Sequence, residues 1–377
     1  MPARSPCSRS SRNLRWNERF LPFPSAPEPA KIRVLLQGWS TRLSSETPIN
    51  VAVVGAGVFG RNHARVYHEL EKAGSVRLVG VVDPITARAD EVAREFSCKA
   101  FGSVDQMLTT HSEVQAVSVA VPTVLHLPVA RDLMQAGVDV LIEKPLASTQ
   151  IEANELLLTA KKHNRIAQVG HLERFNPAVR ATAPLITQPM FFEIHRLSVF
   201  TPRALDVDVV LDLMIHDLDI VLSFVQSPVK EIRAVGLPIL SGKVDIANVR
   251  VEFESGCVAN FTASRVSTER VRKLRLFQPG QYISIDYGRQ DVLVFSVGES
   301  GGLPAKPSVN PQIQVGKPAI VAEEPLLAEI KSFLQCVRDR SRPVVSIEDG
   351  AHALELALAI LAAISRHAGR VSSTLGS

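Results

Sequence analysis

The chain has 377 residues, 46% of them hydrophobic and 21% charged, the profile of a soluble globular protein with room for about two domains. Its net charge of +4 is uneven: residues 1–49 carry seven Arg and one Lys against three Glu, so the rest of the chain sits near −1 and basic charge is no argument for a nucleic-acid partner. The longest uncharged apolar run, residues 356–364, falls far short of the roughly 20 residues that a bilayer crossing requires, so no membrane partner is expected.

Residues 1–48 are rich in Ser, Arg and Pro, carry both tryptophans (Trp16 and Trp39), and lack the continuous apolar core of a secretory signal. They read as a disordered extension or as the product of a start codon assigned too far upstream; an organelle transit peptide is the minor alternative. From residue 50 the pattern alternates. Short, mostly apolar runs at 50–54, 76–82, 99–101, 116–121, 138–142 and 166–169 predict strands. Amphipathic stretches at 61–73, 86–96, 104–108, 127–136 and 151–163 predict the helices between them. Buried strands alternating with helices imply an α/β unit with a doubly wound parallel Rossmann sheet over 49–170.

After about residue 171 the character changes. Segments 191–200, 232–240, 247–254, 258–266, 273–277 and 282–286 predict strands, several with period-two alternation, and one helix is expected near 212–225. This predicts an α+β domain over 171–368 with a large, mostly antiparallel, open-faced sheet. Residues 299–322 are Gly- and Pro-rich and predict a long loop. A helix over 325–337 follows. Ser346-x-x-Asp349 then predicts the cap of a last helix reaching about His367, with 369–377 as a tail. Cys7, Cys98, Cys257 and Cys336 are scattered without metal spacing, which fits a reducing cytoplasm.

The chemistry begins at Gly55-Ala56-Gly57-Val58-Phe59-Gly60. Gly55 allows a tight turn, Gly57 lets the backbone approach a pyrophosphate, and Gly60 lets the helix pack on the strand. Val58 and Phe59 complete the turn before that helix and count with it as cofactor contacts, since the helix amino terminus faces the phosphates. Asp83, 23 residues beyond Gly60, stands where an acid binds the adenosine ribose, and it repels a 2′-phosphate. NAD is therefore the expected cofactor, ahead of NADP. Pro122 and His126 should flank the nicotinamide ribose, although His126 also reads as a helix-start histidine without such a duty.

Glu143-Lys144-Pro145 closes the run 138–142. The ligand crevice of an open α/β sheet lies just outside its carboxyl strand ends, so Lys144 is expected to point at whatever the cofactor reacts with. Farther on, Asp212-x-x-x-His216-Asp217 puts a carboxylate one helical turn from an imidazole, a spacing that suits a general base. A metal ligand set from Asp212, His216, Asp217 and Asp219 has no HExxH or Cys cluster behind it, so no metal is expected.

Taken in order, the glycine turn, Val121-Pro122-Thr123-x-x-His126, Glu143-Lys144-Pro145 and Asp212-x-x-x-His216 resemble the Gfo/Idh/MocA family, the relatives of glucose–fructose oxidoreductase and inositol dehydrogenase. The resemblance runs from about residue 49 to the final helix, including Glu324-Pro325-Leu326 and Ser346-Ile347-Glu348-Asp349, and leaves out the leader. It implies an NAD(P)-dependent dehydrogenase acting on CH–OH groups, usually a homodimer or homotetramer built through the C-terminal sheet. Glu143 and Lys144 would border the cofactor. Lys144 would hold the substrate hydroxyl, His216 would take its proton, and Asp212 would orient the histidine or share that role. Which of Lys144 and His216 is the proton acceptor varies across the family.

Gly170-His171-Leu172-Glu173-Arg174-Phe175-Asn176-Pro177 is similar to a stretch of those members that oxidise the 3-hydroxyl of UDP-N-acetylglucosamine or its uronate, for later amination. His171, Arg174 and Asn176 become candidate substrate contacts, against the alternative of an Arg–Glu pair that stabilises the domain crossing. A diphosphate also needs cations, and His195, Arg196, Arg203, Arg265, Arg270, Arg272, Lys273 and Arg275 are available. Two other readings stay open: a dehydrogenase of a free sugar or inositol, and a non-catalytic NAD-binding regulator.

Overall fold

The computed structural model describes residues 47–201, 207–297 and 313–375, with side chains through 371. The expectations for the leader, and for Arg203, lie outside the described residues. Six strands, β1 (Ile49–Val54), β2 (Val76–Val82), β3 (Lys99–Phe101), β4 (Ala116–Val119), β5 (Asp139–Glu143) and β6 (Ala167–Gly170), form an all-parallel sheet in the order β3-β2-β1-β4-β5-β6. Helices α1 (Val58–Lys72), α2 (Thr86–Glu95), α3 (Val104–Thr110), α4 (His126–Gln135) and α5 (Gln150–His163) connect them. Runs rich in Val, Ile and Leu suit strands covered on both faces, and apart from the edge strand β3 the strand centres are buried.

After α6 (Pro177–Thr182), a second sheet of eight strands runs in the order β14-β13-β12-β11-β7-β10-β9-β8. Its strands are β7 (Phe191–Val199), β8 (Val229–Leu237), β9 (Ile246–Phe253), β10 (Val258–Ser267), β11 (Val271–Gln278), β12 (Gln281–Asp286), β13 (Asp291–Val297) and β14 (Ile313–Gly316). Every pairing is antiparallel except that of β7 with β10. One face is buried through residues such as Phe192, Ile194, Phe261, Leu274 and Leu276. Helix α7 (Ile215–Phe224) contributes Leu218 and Val221 to that core.

Two expectations need correction. Residues 313–316 belong to β14, an edge strand, and not to a loop; all four are exposed, so the alternation that reveals a half-buried strand is missing. The last helix, α9 (Ile347–Leu375), continues beyond His367 into the expected tail. Its start follows the sequence signal: the Ser346 hydroxyl accepts from the Asp349 amide at 3.3 Å, and the Asp349 carboxylate accepts from the Ser346 amide at 2.9 Å.

Helices α8 (Pro325–Asp339) and α9 return the chain to the first sheet. Ile330, Phe333, Leu334 and Val337 of α8 pack with Val51, Val53 and Tyr67. Leu354 of α9 packs on the Rossmann side, while Leu356 and Ile360 pack against the second sheet. This apolar seam fixes the two sheets relative to each other, and the site lies where they meet.

Candidate active site

The order of the parallel sheet reverses between β1 and β4, the topological switch point at which α/β proteins bind ligands. The glycine turn leaves β1 there. Gly55 has φ +101°, and a Cβ on it would stand 2.4 Å from the Ala120 carbonyl oxygen beyond β4. A Cβ on Gly60 would stand 1.7 Å from the Gly55 carbonyl oxygen. These two glycines are required for packing. Gly57 is different, since nothing lies within 4 Å of where its Cβ would be. That open cradle, with Val58 and Phe59 exposed behind it at the start of α1, fits the approach of a dinucleotide pyrophosphate.

Asp83 ends up at the tip of β2, 7% exposed, and its two carboxylate oxygens accept from the Ala56 and Ile85 amides at 2.9 Å each. The acid therefore holds the glycine turn as well as bordering the ribose position expected for it. Pro122 is exposed beyond β4 and starts a short 3₁₀ turn, Thr123–Leu125. His126 differs from expectation. It is 1% exposed, with Nδ1 3.0 Å from the Pro145 carbonyl oxygen and Nε2 3.0 Å from that of Val121. Burial lowers its pKa. His126 thus joins the β4 and β5 loops from behind instead of facing a ribose.

A cleft beside the switch point is lined by Phe59, Val121, Glu143, Lys144, Leu211 and Asp212 among others. Lys144 leaves the end of β5 through a cis peptide to Pro145. Its Nζ donates to the Asp212 main-chain carbonyl at 2.7 Å and lies 3.4 Å from the Asp212 carboxylate. Glu143 is turned the other way. Its Oε1 is 2.8 Å from His63 Nε2, His63 Nδ1 is 3.0 Å from the Ser118 hydroxyl, and Ser118 is 2.8 Å from the Tyr67 hydroxyl. Burial is the largest single influence and works to raise the Glu143 pKa, but the His63 hydrogen bond and the charges of His63, Lys144 and His126 together hold the carboxyl below its usual range. His63 was not singled out in the sequence. Its only signal is the position three residues after Gly60 on a helix face that must meet β4.

The Asp212–His216 relationship also differs from expectation. Residues Val210–Met214 form a π-type turn that leads into α7. Asp212 faces Lys144, and His216 Nδ1 is buried without a hydrogen-bond partner among the described residues. Sequence spacing of four signalled one helical face but not which partner the carboxylate meets. His216 has its pKa pushed well below the ordinary histidine value, first by burial and then by Lys144, Arg196, His171 and Arg272. Its imidazole is neutral at neutral pH and able to accept a proton. The His171 ring stands edge-on to it, with centroids 6.4 Å apart, and is itself fully buried with neither nitrogen paired among the described residues.

The remaining substrate candidates serve the scaffold. Arg174 grips Asp219 with two bonds, Nε at 2.8 Å and Nη2 at 3.1 Å. Asn176 is 3% exposed; its Oδ1 accepts from the Ala178 amide to cap α6, and its Nδ2 donates to Glu173 and to the Tyr287 carbonyl, each at 3.1 Å. Both ends of that amide are engaged inside the protein, so the expected substrate contact by Asn176 gives way to capping. Glu173 pairs with Arg196 at 3.0 Å, a relative of the domain-crossing alternative.

Residues 49–171 match the family described as oxidoreductase family, NAD-binding Rossmann fold, and residues 187–278 match the GFO/IDH/MocA C-terminal domain. The chain is 38% identical over 298 residues to a UDP-N-acetylglucosamine 3-dehydrogenase of Acidithiobacillus ferrooxidans, covering 78% of this chain and 90% of that protein. A solved structure of the A. ferrooxidans protein superimposes with a TM-score of 0.77 at 34% identity, covering 85% of this chain and 98% of that one. An NAD⁺-dependent scyllo-inositol 2-dehydrogenase of Bacillus subtilis is 26% identical over 331 residues, 83% of this chain and 93% of that protein.

Proposed function

The chain belongs to the Gfo/Idh/MocA family of NAD-binding oxidoreductases, and from that premise we propose that it oxidises the 3-hydroxyl of UDP-N-acetylglucosamine, or of a close relative such as its uronate, to a 3-keto sugar. NAD is its cofactor, and the chain is a dehydrogenase. The observation that carries the catalytic assignment is the contact between Lys144 and Asp212 in the cleft beside the open glycine turn. The observation that favours a nucleotide-sugar over a free polyol is the stronger likeness to the UDP-N-acetylglucosamine enzyme, 38% against 26% for the inositol enzyme.

In this reading Lys144 donates to the substrate hydroxyl and polarises it, and Asp212 anchors the lysine. His216 removes the hydroxyl proton. The assignment favours His216 because its imidazole is held neutral, while the Lys144 ammonium is already committed as a donor to Asp212. A positioned base contributes about 10²- to 10⁴-fold in rate. As the C–O bond gains double-bond character, the carbinol carbon loses hydride, and bound NAD supplies the acceptor for it. Glu143, tied back to His63, leaves the lysine as the charged group that faces the cleft from that strand end.

The proposed division is an NAD-binding unit over 49–170 and a substrate and oligomerisation unit from 171, with α8 and α9 shared between them. The outer face of the second sheet carries a ladder of aromatic rings: Phe191 on Phe277 at 5.6 Å, Phe277 on Tyr282 at 4.9 Å, and Tyr282 on Phe295 at 5.2 Å. This ladder supports a homodimer or homotetramer built through that face. No helix of the described residues is long and apolar enough to cross a membrane, which agrees with a proposed cytoplasmic location.

The test supplies purified protein with NAD⁺ and UDP-N-acetylglucosamine and follows reduced-nicotinamide absorbance. A gain with the UDP-sugar is expected. No gain, alongside turnover of inositol or glucose, would transfer the reading to a free polyol. NAD binding without turnover of any of these would leave a regulator.

A further inference from the structure

The cations of the second sheet are not equivalent once the fold sorts them. On β11, Leu274 and Leu276 are fully buried, so Arg272 lies on the same inward face of the strand and Lys273 and Arg275 lie on the outer face. Arg275 pairs with Glu193 at 2.8 Å on that outer face, and Lys273 lies 4.0 Å from Asp286. The inward cations of the neighbouring strands are also neutralised. Arg196 of β7 is buried against Asp217 at 2.7 Å, and Arg265 of β10 lies 3.5 Å from the buried Asp245. Arg272 differs from these four in combining an inward-facing position with exposure, and it pairs with no carboxylate among the described residues.

Its position is fixed by register. The Cα of Arg272 is directly opposite that of Arg196 in the β7–β11 ladder, and Arg196 reaches Asp217, the residue after His216. Arg272 therefore stands on the sheet wall near the proposed base, one strand position from the arginine that holds the residue next to it. Its charge is felt at His216 and at Asp217. An exposed guanidinium on the sheet face that carries Arg196, with its neighbours' charges cancelled, is poised for a mobile anion. A guanidinium also matches phosphate oxygens with two parallel N–H donors.

We propose that Arg272 binds the diphosphate of the nucleotide-sugar and so selects an anionic, nucleotide-linked sugar over a free one. This rests on the function proposed above, where the sugar hydroxyl sits between Lys144 and His216. The UDP arm of the same substrate must leave that point toward open surface, and the sheet wall at Arg272 offers it an uncompensated positive charge.

The experiment compares wild type, Arg272→Ala and Arg272→Lys, with Arg233→Ala on an outer edge strand as a charge-loss control. KM for UDP-N-acetylglucosamine should rise by on the order of 10- to 100-fold in Arg272→Ala, the scale of one charge-assisted hydrogen bond, with kcat and the KM for NAD⁺ little changed. Arg272→Lys should recover part of that loss, and Arg233→Ala should match wild type. Calorimetric titration of the NADH-loaded protein with UDP should show the same order of weakening. If wild type oxidises the UDP-sugar and Arg272→Ala does so with an unchanged KM, the inference fails while the proposed function stands. If wild type does not turn over the UDP-sugar, the proposed function fails and the UDP titration decides here: equal binding by wild type and Arg272→Ala, or none by either, overturns the inference.

Discussion

Lys144 and Asp212 are 68 residues apart, yet Nζ of the first donates to the main-chain carbonyl of the second at 2.7 Å. The lysine of one sheet is thus tied to the helix that covers the other. Removing the ammonium leaves the hydroxyl without its donor and also loosens that tie. Lys144→Met should lower kcat by about 10²-fold or more, the scale of losing one preorganised donor, and should leave NAD binding close to wild type. Single-turnover kinetics with a fluorescence titration of NADH separate the two quantities. Full activity in this variant would remove Lys144 from the mechanism.

His216 makes a prediction in pH. Burial and nearby cations keep its folded pKa well below the ordinary value, so the base form persists through neutrality. The ratio kcat/KM should be flat from neutral pH down past about 6.5, where an unperturbed histidine would already be titrating, and should fall only in more acid solution. His216→Asn should abolish that acid limb and lower kcat across the range.

The same shifts carry a sign for stability. His126, His171 and His216 all have lowered folded values. The unfolded chain therefore binds more protons than the native one once pH drops below about 6.5. Stability contributed by the neutral rings is complete above that point and is lost as pH falls toward the folded values. Denaturant melts at a series of pH values should show the midpoint dropping below about pH 6.5, and a flat midpoint there would contradict the assignment of neutral rings.

The two sheets were legible because their signals are local. Short apolar runs such as 138–142, bounded by turn residues and alternating with amphipathic stretches, read as strands covered on both faces, and Gly55 and Gly60 sit where a side chain has no room. The site was legible in its membership and not in its pairing. Asp212 and His216 share a helical face by spacing, but whether the carboxylate meets the imidazole depends on Lys144 arriving from the end of the parallel sheet. Asn176 serves as a helix cap where a substrate contact was expected, since the same amide chemistry suits both; Pro177 at the first helical position is the signal that could have found the cap. Strand β14 gave no alternation to detect because no residue in it is buried.

The glycine turn separates packing from binding. Gly60→Ala drives a methyl into the Gly55 carbonyl, a backbone atom that cannot swing aside. It should destabilise the protein by about 1–3 kcal/mol or more, as overpacking does. At Gly57 the same methyl meets open space, so Gly57→Ala should keep its stability within about 0.5 kcal/mol and lose affinity for NAD. A thermal melt paired with an NADH titration distinguishes the two variants. Equal stability loss in both would mean that the cradle at Gly57 is structural.

Arg174 gives the clearest contrast between a substrate contact and a scaffold. Its guanidinium forms two bonds to Asp219, whose side chain is 1% exposed, while its own side chain is 15% exposed. Arg174→Ala leaves that carboxylate buried without its counter-charge. Breaking one partner of a buried pair costs about 3–5 kcal/mol, so the variant should unfold at clearly lower denaturant with or without substrate present. Arg174→Lys keeps a charge but loses the planar two-donor match, and should fall between. A residue whose only task was to touch the sugar would raise KM and leave the melt where it was. The bidentate geometry predicts the reverse order of effects, with stability lost first, and a double variant, Arg174→Met with Asp219→Leu, should regain much of it by removing both charges together.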